Sequence, residues 1–265
     1  MHHRRLRQRW ITIGAVALGA AMVVAVTSTG SADALHHSHR HTHHHQGVHA
    51  SSQPGLLQAA RTRKTISQNW SGFVASGGKF TSVSGSWTVP AVDCSSTPNG
   101  VAAMWVGIDG AGSKTVEQTG TFSACDQGNT QYAAWYEAFP ASSILLPNPV
   151  GPGDTMTATV TNTAPNTFSL VLTNNSRNWT STNVIQVRGR LASAEAIAEA
   201  PSVHGQIVPL ANFGTVSFSN VTVNGSPLSS ARQVMPVTMQ SLTGVVKSVP
   251  SALSGGSFSV SWRHA

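Results

Sequence analysis

The residues able to carry a reaction are few in this chain. Beyond residue 64 it holds four aspartates (Asp93, Asp109, Asp126, Asp154), four glutamates (Glu117, Glu137, Glu195, Glu199), two histidines (His204, His264) and two cysteines (Cys94, Cys125). A Ser-His-Asp arrangement would depend on His204, since His264 is penultimate, and no Gly-x-Ser-x-Gly turn is present to display a serine. A loop histidine is the simpler reading of His204. Cys94 and Cys125 are expected to form one disulfide, which leaves no thiolate for nucleophilic work. Two cysteines and two histidines also lack the spacing of a zinc site, so no metal and no cofactor is expected. Two aspartates sharing a proton would need a repeated Asp-Thr-Gly or Asp-Ser-Gly segment. Asp109-Gly110 is followed by Ala111, has no second copy, and reads as a turn. Glutamate chemistry remains. A carboxyl can take a proton from water and return it to a leaving group, and two carboxyls on a β-scaffold could equally hydrolyse a glycoside.

The elements that must position these glutamates read as many short strands. Residues 101–108 form an apolar run ended by Asp109-Gly110, and 132–139 are rich in aromatics. Residues 155–161, 167–173, 216–223 and 258–262 alternate apolar with polar, with Phe168, Leu170 and Leu172 on one parity. Gly77-Gly78, Pro98-Asn99-Gly100, Pro152-Gly153, Asn224-Gly225 and Gly255-Gly256 supply turns. Short alternating strands at this frequency predict an all-β sandwich or barrel. Residues 192–200 are ambiguous: Glu195 and Glu199 are four apart, as on a helix face, and the alanines favour helix. Glu195, Ile197 and Glu199 also share one face of a strand.

Charge separates the chain into parts. The first 64 residues hold eight Lys and Arg against one acid, and the remainder holds eight against eight. The high isoelectric point therefore belongs to the leader and argues nothing for nucleic-acid binding. Residues 1–34 read as a secretory signal: Arg4, Arg5, Arg7 and Arg9, an apolar run over 11–26, then Ala32-Asp33-Ala34. A membrane anchor is the alternative, but the run is short against the ~20 residues of a spanning helix. Residues 35–64 open on eight histidines within 35–50, cannot bury enough apolar surface to fold alone, and read as a disordered propeptide. Residues 65–265 suffice for one domain with its own core. Export implies an oxidising environment, and closing the Cys94–Cys125 loop stabilises by roughly 3–4 kcal/mol in the chain-entropy model. That loop carries Trp105, Asp109 and Gln118. Few carboxylates also mean little of the liability that makes acid unfold proteins.

Five short motifs then occur in order: Asn69-Trp70-Ser71-Gly72, Trp105-Val106-Gly107-Ile108-Asp109-Gly110, Gln118-Thr119-Gly120, Ala134-Trp135-Tyr136-Glu137 with Pro140, and Ala194-Glu195-Ala196-Ile197-Ala198-Glu199. The set resembles the glutamic peptidases, or eqolisins, over nearly all of residues 68–262. The resemblance implies a sandwich of two antiparallel sheets of about seven strands each, and acid endopeptidase activity insensitive to pepstatin. It implies Gln118 and Glu199 as the catalytic pair. It places Trp70, Trp105, Asp109, Trp135 and Glu137 around the substrate cleft, and leaves Trp87, Trp179 and Trp262 as packing residues. Where the family has a large apolar residue this chain has Ala196. Ala200 replaces an acid and Ala138 an aromatic, and these departures bear on subsite shape and pH optimum.

Such a pair suits amide hydrolysis. A glutamate with a reference pKa near 4.3 moves protons readily in acid. A glutamine amide donates at any working pH and can hold a water through its oxygen and an oxyanion through its nitrogen. Glu199 would begin either as the base or already protonated. The expected partners are peptide substrates and the chain's own propeptide, with no nucleic acid and no stable membrane association, in a secreted monomer. Charging of the histidines in acid would release the propeptide; a metal-binding tract is the alternative use of that segment. A secreted carbohydrate-binding sandwich or two-carboxylate glycosidase is the competing function. Asn69, Asn174, Asn178, Asn220 and Asn224 begin Asn-x-Ser/Thr sequences that matter in a glycosylating host.

Overall fold

The computed structural model describes residues 65–203 and 205–265 together with the strand at Gln58–Ala59. The expected signal, the His-rich tract and His204 lie outside the described residues.

In chain order the strands are β1 (Gln58–Ala59), β2 (Thr65–Ser67), β3 (Trp70–Ser76), β4 (Ser82–Thr88), β5 (Val101–Asp109), β6 (Val116–Asp126), β7 (Asn129–Phe139), β8 (Ile144–Leu146), β9 (Thr155–Ala164) and β10 (Thr167–Asn174). They continue as β11 (Trp179–Gln186), β12 (Ser193–Glu199), β13 (Ser202–Val203), β14 (Gln206–Ile207), β15 (Thr215–Val223), β16 (Ser226–Pro227), β17 (Gln233–Gln240), β18 (Val246–Pro250) and β19 (Phe258–Trp262). One ladder runs β17-β3-β12-β5-β6-β7-β8, with β2 added along the end of β17. The other runs β18-β19-β15-β4-β9-β10-β11. The β17–β18 hairpin joins them into one continuous network. Each ladder has seven strands, as the sequence reading expected, and their pairings are antiparallel except for β2 on β17.

Alternation decides which side chains meet between the sheets. Phe168, Leu170 and Leu172 of β10 pack there with Met104, Val106 and Ile108 of β5 and Ala194, Ala196 and Ala198 of β12. Trp87 joins this core, and its indole N–H donates to Thr121 Oγ1 at 3.0 Å. Trp179 and Trp262 pack against it, so all three serve packing. A second apolar cluster lies on the opposite face of the first sheet: Trp70, Val74, Ala103, Trp105, Val116, Phe122, Trp135, Ile197 and Val237.

Residues 192–200 are strand. β12 is hydrogen-bonded on both edges, to β3 and β5, and every residue from Ser193 to Glu199 is buried. Its alanine content reflects the space between two packed sheets, and central pairing outweighs their helix propensity. Ala196 and Ala200 both lie in the inter-sheet core. Their small side chains therefore bear on sheet packing. Cys94 and Cys125 are bonded, with Cα atoms 5.4 Å apart.

Candidate active site

The outer face of the first sheet collects the polar residues. β5, β6 and β7 are in register so that Gly107 faces Gln118 and Gln118 faces Glu137. Glu195 lies across Gly107 on the other side. The next row reads Ile197, Trp105, Gly120, Trp135. Glu199 stands one row further, opposite Trp70 and Ala103.

Glycines make room for this arrangement. A Cβ on Gly120 would lie 2.1 Å from the Met104 carbonyl oxygen and 2.6 Å from Trp105 Cβ. At Gly107 a Cβ would meet Trp105 Cζ3 at 2.9 Å and Gln118 Cβ at 3.1 Å. The Trp105 ring thus lies across the strand, one edge beside Gln118 and its indole N–H on Glu199.

Glu199 is held through both oxygens. Trp105 Nε1 donates to Oε2 at 2.8 Å and Asn69 Nδ2 donates to Oε1 at 3.0 Å. Trp70 stands beside the same carboxyl, with its N–H outside hydrogen-bonding geometry, and packs edge-on to Trp105 at 5.1 Å. Burial raises Glu199 well above the ordinary glutamate range and the Glu137 charge raises it further, against the three N–H-bearing neighbours that favour its ionised form. Gln118 Nε2 donates to Glu137 Oε2 at 2.5 Å. The Gln118 carbonyl oxygen and the Trp135 indole N–H are buried without a protein partner. Orphaned polar atoms of this kind are costly and converge here on one face. Trp135 stacks on Phe122 at 5.0 Å.

The structure therefore brings Gln118, Glu199, Glu137, Trp70, Trp105 and Trp135 to one face. Asp109 is placed differently. It ends β5 with φ 71°, and its carboxylate accepts the backbone N–H groups of Arg190 (2.6 Å), Leu191 (2.9 Å) and Ala192 (2.8 Å). It clamps the chain that enters β12 and so acts on the site from its edge. Glu117 shows the opposite parity to Gln118 and is buried toward the inter-sheet side, its oxygens without hydrogen-bond partners. Burial, then Asp109, push its pKa up to about 8. Burial likewise raises Glu195 far above the usual range.

Asn69 escaped the sequence reading as a site residue although it opens the first motif. It is fully buried, as is Asn174, whose Nδ2 donates to Asp154 Oδ2 at 2.8 Å, so neither presents a glycosylation site in the fold. Among the described residues no group of three or more His, Cys, Asp and Glu could hold a metal ion. No helix among them is long and apolar enough to cross a membrane.

The family model of the Peptidase A4 family matches residues 68–262. Aspergillopepsin-2 of Aspergillus niger is 31% identical over 183 residues, which span 60% of this chain and 65% of that protein, just under two thirds of its length. A scytalido-glutamic peptidase, solved with a peptide-based transition-state analogue, is 25% identical. It aligns over 74% of this chain and 98% of that one, with a TM-score of 0.64. The aspergilloglutamic peptidase of Aspergillus niger is 28% identical, with 62% and 99% covered and a TM-score of 0.56.

Proposed function

The chain belongs to the peptidase A4 family, and on that premise we propose that it is a secreted endopeptidase that hydrolyses peptide bonds in acid through Gln118 and Glu199. The observation that carries this reading is the linked set on one buried face: Glu199 fixed by two N–H donors and coupled to Glu137, which accepts from Gln118. The family match runs against the sugar-directed alternative.

The elevation of Glu199 favours a start from its protonated form in acid. Glu199 gives its proton to the scissile carbonyl oxygen as water attacks the carbonyl carbon, and the emptied carboxylate takes the proton that the water loses. The second amide hydrogen of Gln118 steadies the oxygen on which charge develops, and the Gln118 carbonyl oxygen orients the water. Glu199 then protonates the leaving nitrogen and takes back a hydroxyl proton as the C–N bond breaks. The products are a carboxylic acid and an amine, and Glu199 ends as it began. Trp70, Trp105 and Trp135 line the place where the substrate lies. The first 34 residues serve export and residues 35–64 a propeptide.

The test is digestion of a denatured protein from about pH 2 to 7, with pepstatin and EDTA present, comparing wild type with Glu199→Gln and Gln118→Ala. Cleavage confined to acid, indifferent to both inhibitors and abolished by Glu199→Gln, is the expected result. Gln118→Ala should lose roughly 100–1,000-fold in kcat. Near-normal turnover by either folded variant would refute the pair.

A further inference from the structure

We propose that Asn69 is a positioning residue for Glu199: its side-chain amide, oriented by Ser67, fixes Oε1 of that carboxyl.

The amide has one workable orientation. Ser67 Oγ accepts two backbone N–H groups, from Asn69 at 3.3 Å and Trp70 at 3.1 Å. A hydroxyl oxygen has two acceptor positions, and both are used. Its remaining hydrogen points at Asn69 Oδ1, 3.2 Å away. The Asn69 oxygen is thereby committed to Ser67, and Nδ2 is left facing Glu199 Oε1 at 3.0 Å. The backbone adds a further tie, since Ala200 N donates to Asn69 O at 2.9 Å. The corner between β2 and β3 is thus locked to the end of β12 on both sides of the catalytic carboxyl. Because Trp105 occupies Oε2, each Glu199 oxygen keeps one lone pair for its own proton, a water or the substrate. The rotation that would let the two oxygens exchange roles is blocked. The titratable group acting on Glu199 from the facing strands is Glu137 of β7, and Asn69 works against that repulsion and against burial. Asn69 does not touch the reacting atoms in this scheme; it acts through Glu199.

The inference rests on Glu199 being the working acid, so its test has one arm that needs no activity. Infrared difference spectra of wild type minus Glu199→Gln isolate the protonated-carboxyl stretch of Glu199 as pH is raised. The same difference in an Asn69→Leu background is expected to titrate about one pH unit higher, because a donor to the charged form is gone. In the kinetic arm, the alkaline limb of kcat/KM should move up by the same interval, with kcat lowered more than KM is raised. Ser67→Ala, which frees the amide to turn, should give a smaller shift in the same direction. It decides the matter if Asn69→Leu does not fold. An unshifted Glu199 band and limb in either folded variant overturn the proposal. A shifted band in a protein without peptidase activity would leave Asn69's role standing and remove the peptidase reading.

Discussion

Trp105 does two jobs that one side chain rarely combines. Its ring fills the space left by Gly107, and its N–H holds Glu199 Oε2. These are separable. Trp105→Phe keeps a smaller aromatic ring and removes the donor, so kcat should fall at least roughly 10–100-fold, the worth of a hydrogen bond to a charged group, while KM changes little. Steady-state kinetics on a short peptide check this, and an equal loss in KM would mean that the ring, through substrate contact, matters more than the N–H. At this scale the sequence was partly readable. Gln118, Glu199 and the three tryptophans came from the motif resemblance, and all lie on one face. Asn69 opens the first motif, yet nothing in its type or spacing announces a bond to a residue 130 positions away. Only the pairing of β3 with β12 brings it there.

β12 is the element on which the site depends, and its entry is held by one carboxylate. Three successive backbone N–H groups, of Arg190, Leu191 and Ala192, converge on Asp109. Asp109→Ala would leave these donors without their acceptor and should destabilise the fold by on the order of 3 kcal/mol. The urea midpoint should drop with the m-value unchanged. Activity should fall with it, through loosening of Glu195 and Glu199; a variant of normal stability would show that Asp109 is no clamp. β3 is constrained by Gly72, with φ +148°, where a Cβ would sit 2.2 Å from the Ala196 carbonyl oxygen. Gly72→Ala is therefore expected to lower Tm sharply, because both the backbone conformation and the contact resist a side chain. Gly72, Gly107 and Gly120 thus answer to the close approach of β3, β12, β5 and β6.

The whole molecule buries all four glutamates of residues 65–265 together with Asp109. The pH consequences differ in sign between groups. Glu117 has its pKa raised from 4.5 to about 8 by burial and by Asp109, so the folded state binds more protons than the unfolded one between those values. Its contribution is fully present below about pH 4.5 and is lost as pH rises through about 8, a change of a few kcal/mol at about 1.4 kcal/mol per unit. Glu195 and Glu199 shift in the same direction. Asp154 opposes them: burial alone would raise it, but the Arg177 guanidinium and the N–H groups of Asn174 and Gly151 prevail and lower it. Its contribution, to which the half-exposed Arg177 adds, is lost in acid. The balance predicts a domain more stable near pH 4 than near pH 8. Glu117→Gln should shrink that difference by raising Tm at pH 8 more than at pH 4, as calorimetry at the two pH values would measure. A Tm gap unchanged by the substitution would show that Glu117 does not titrate in the folded protein.

The sequence by itself determined the class of fold and the shortlist of chemistry. Period-two alternation at β9, β10 and β15, with glycine turns between strands, leaves few alternatives to a sandwich. The scarcity of His and Cys confines catalysis to carboxyls and amides. Tertiary structure decided the rest. Residues 192–200 satisfy helix and strand patterns alike, and it is hydrogen bonding to β3 and β5 on both edges that makes them strand. Glu117 and Gln118 are neighbours of similar polarity, and only the pleat assigns one to the inter-sheet side and the other to the face that carries Glu199. Asp109 is expected near the cleft, and it is the reversal of the chain at its positive φ that aims its carboxylate at the backbone of the β12 entry. Local sequence reports periodicity and composition. Which two distant carboxyls share a face, and which amide is locked against one of them, follows from strand order and register, which link residues too far apart in the chain for any local pattern to record.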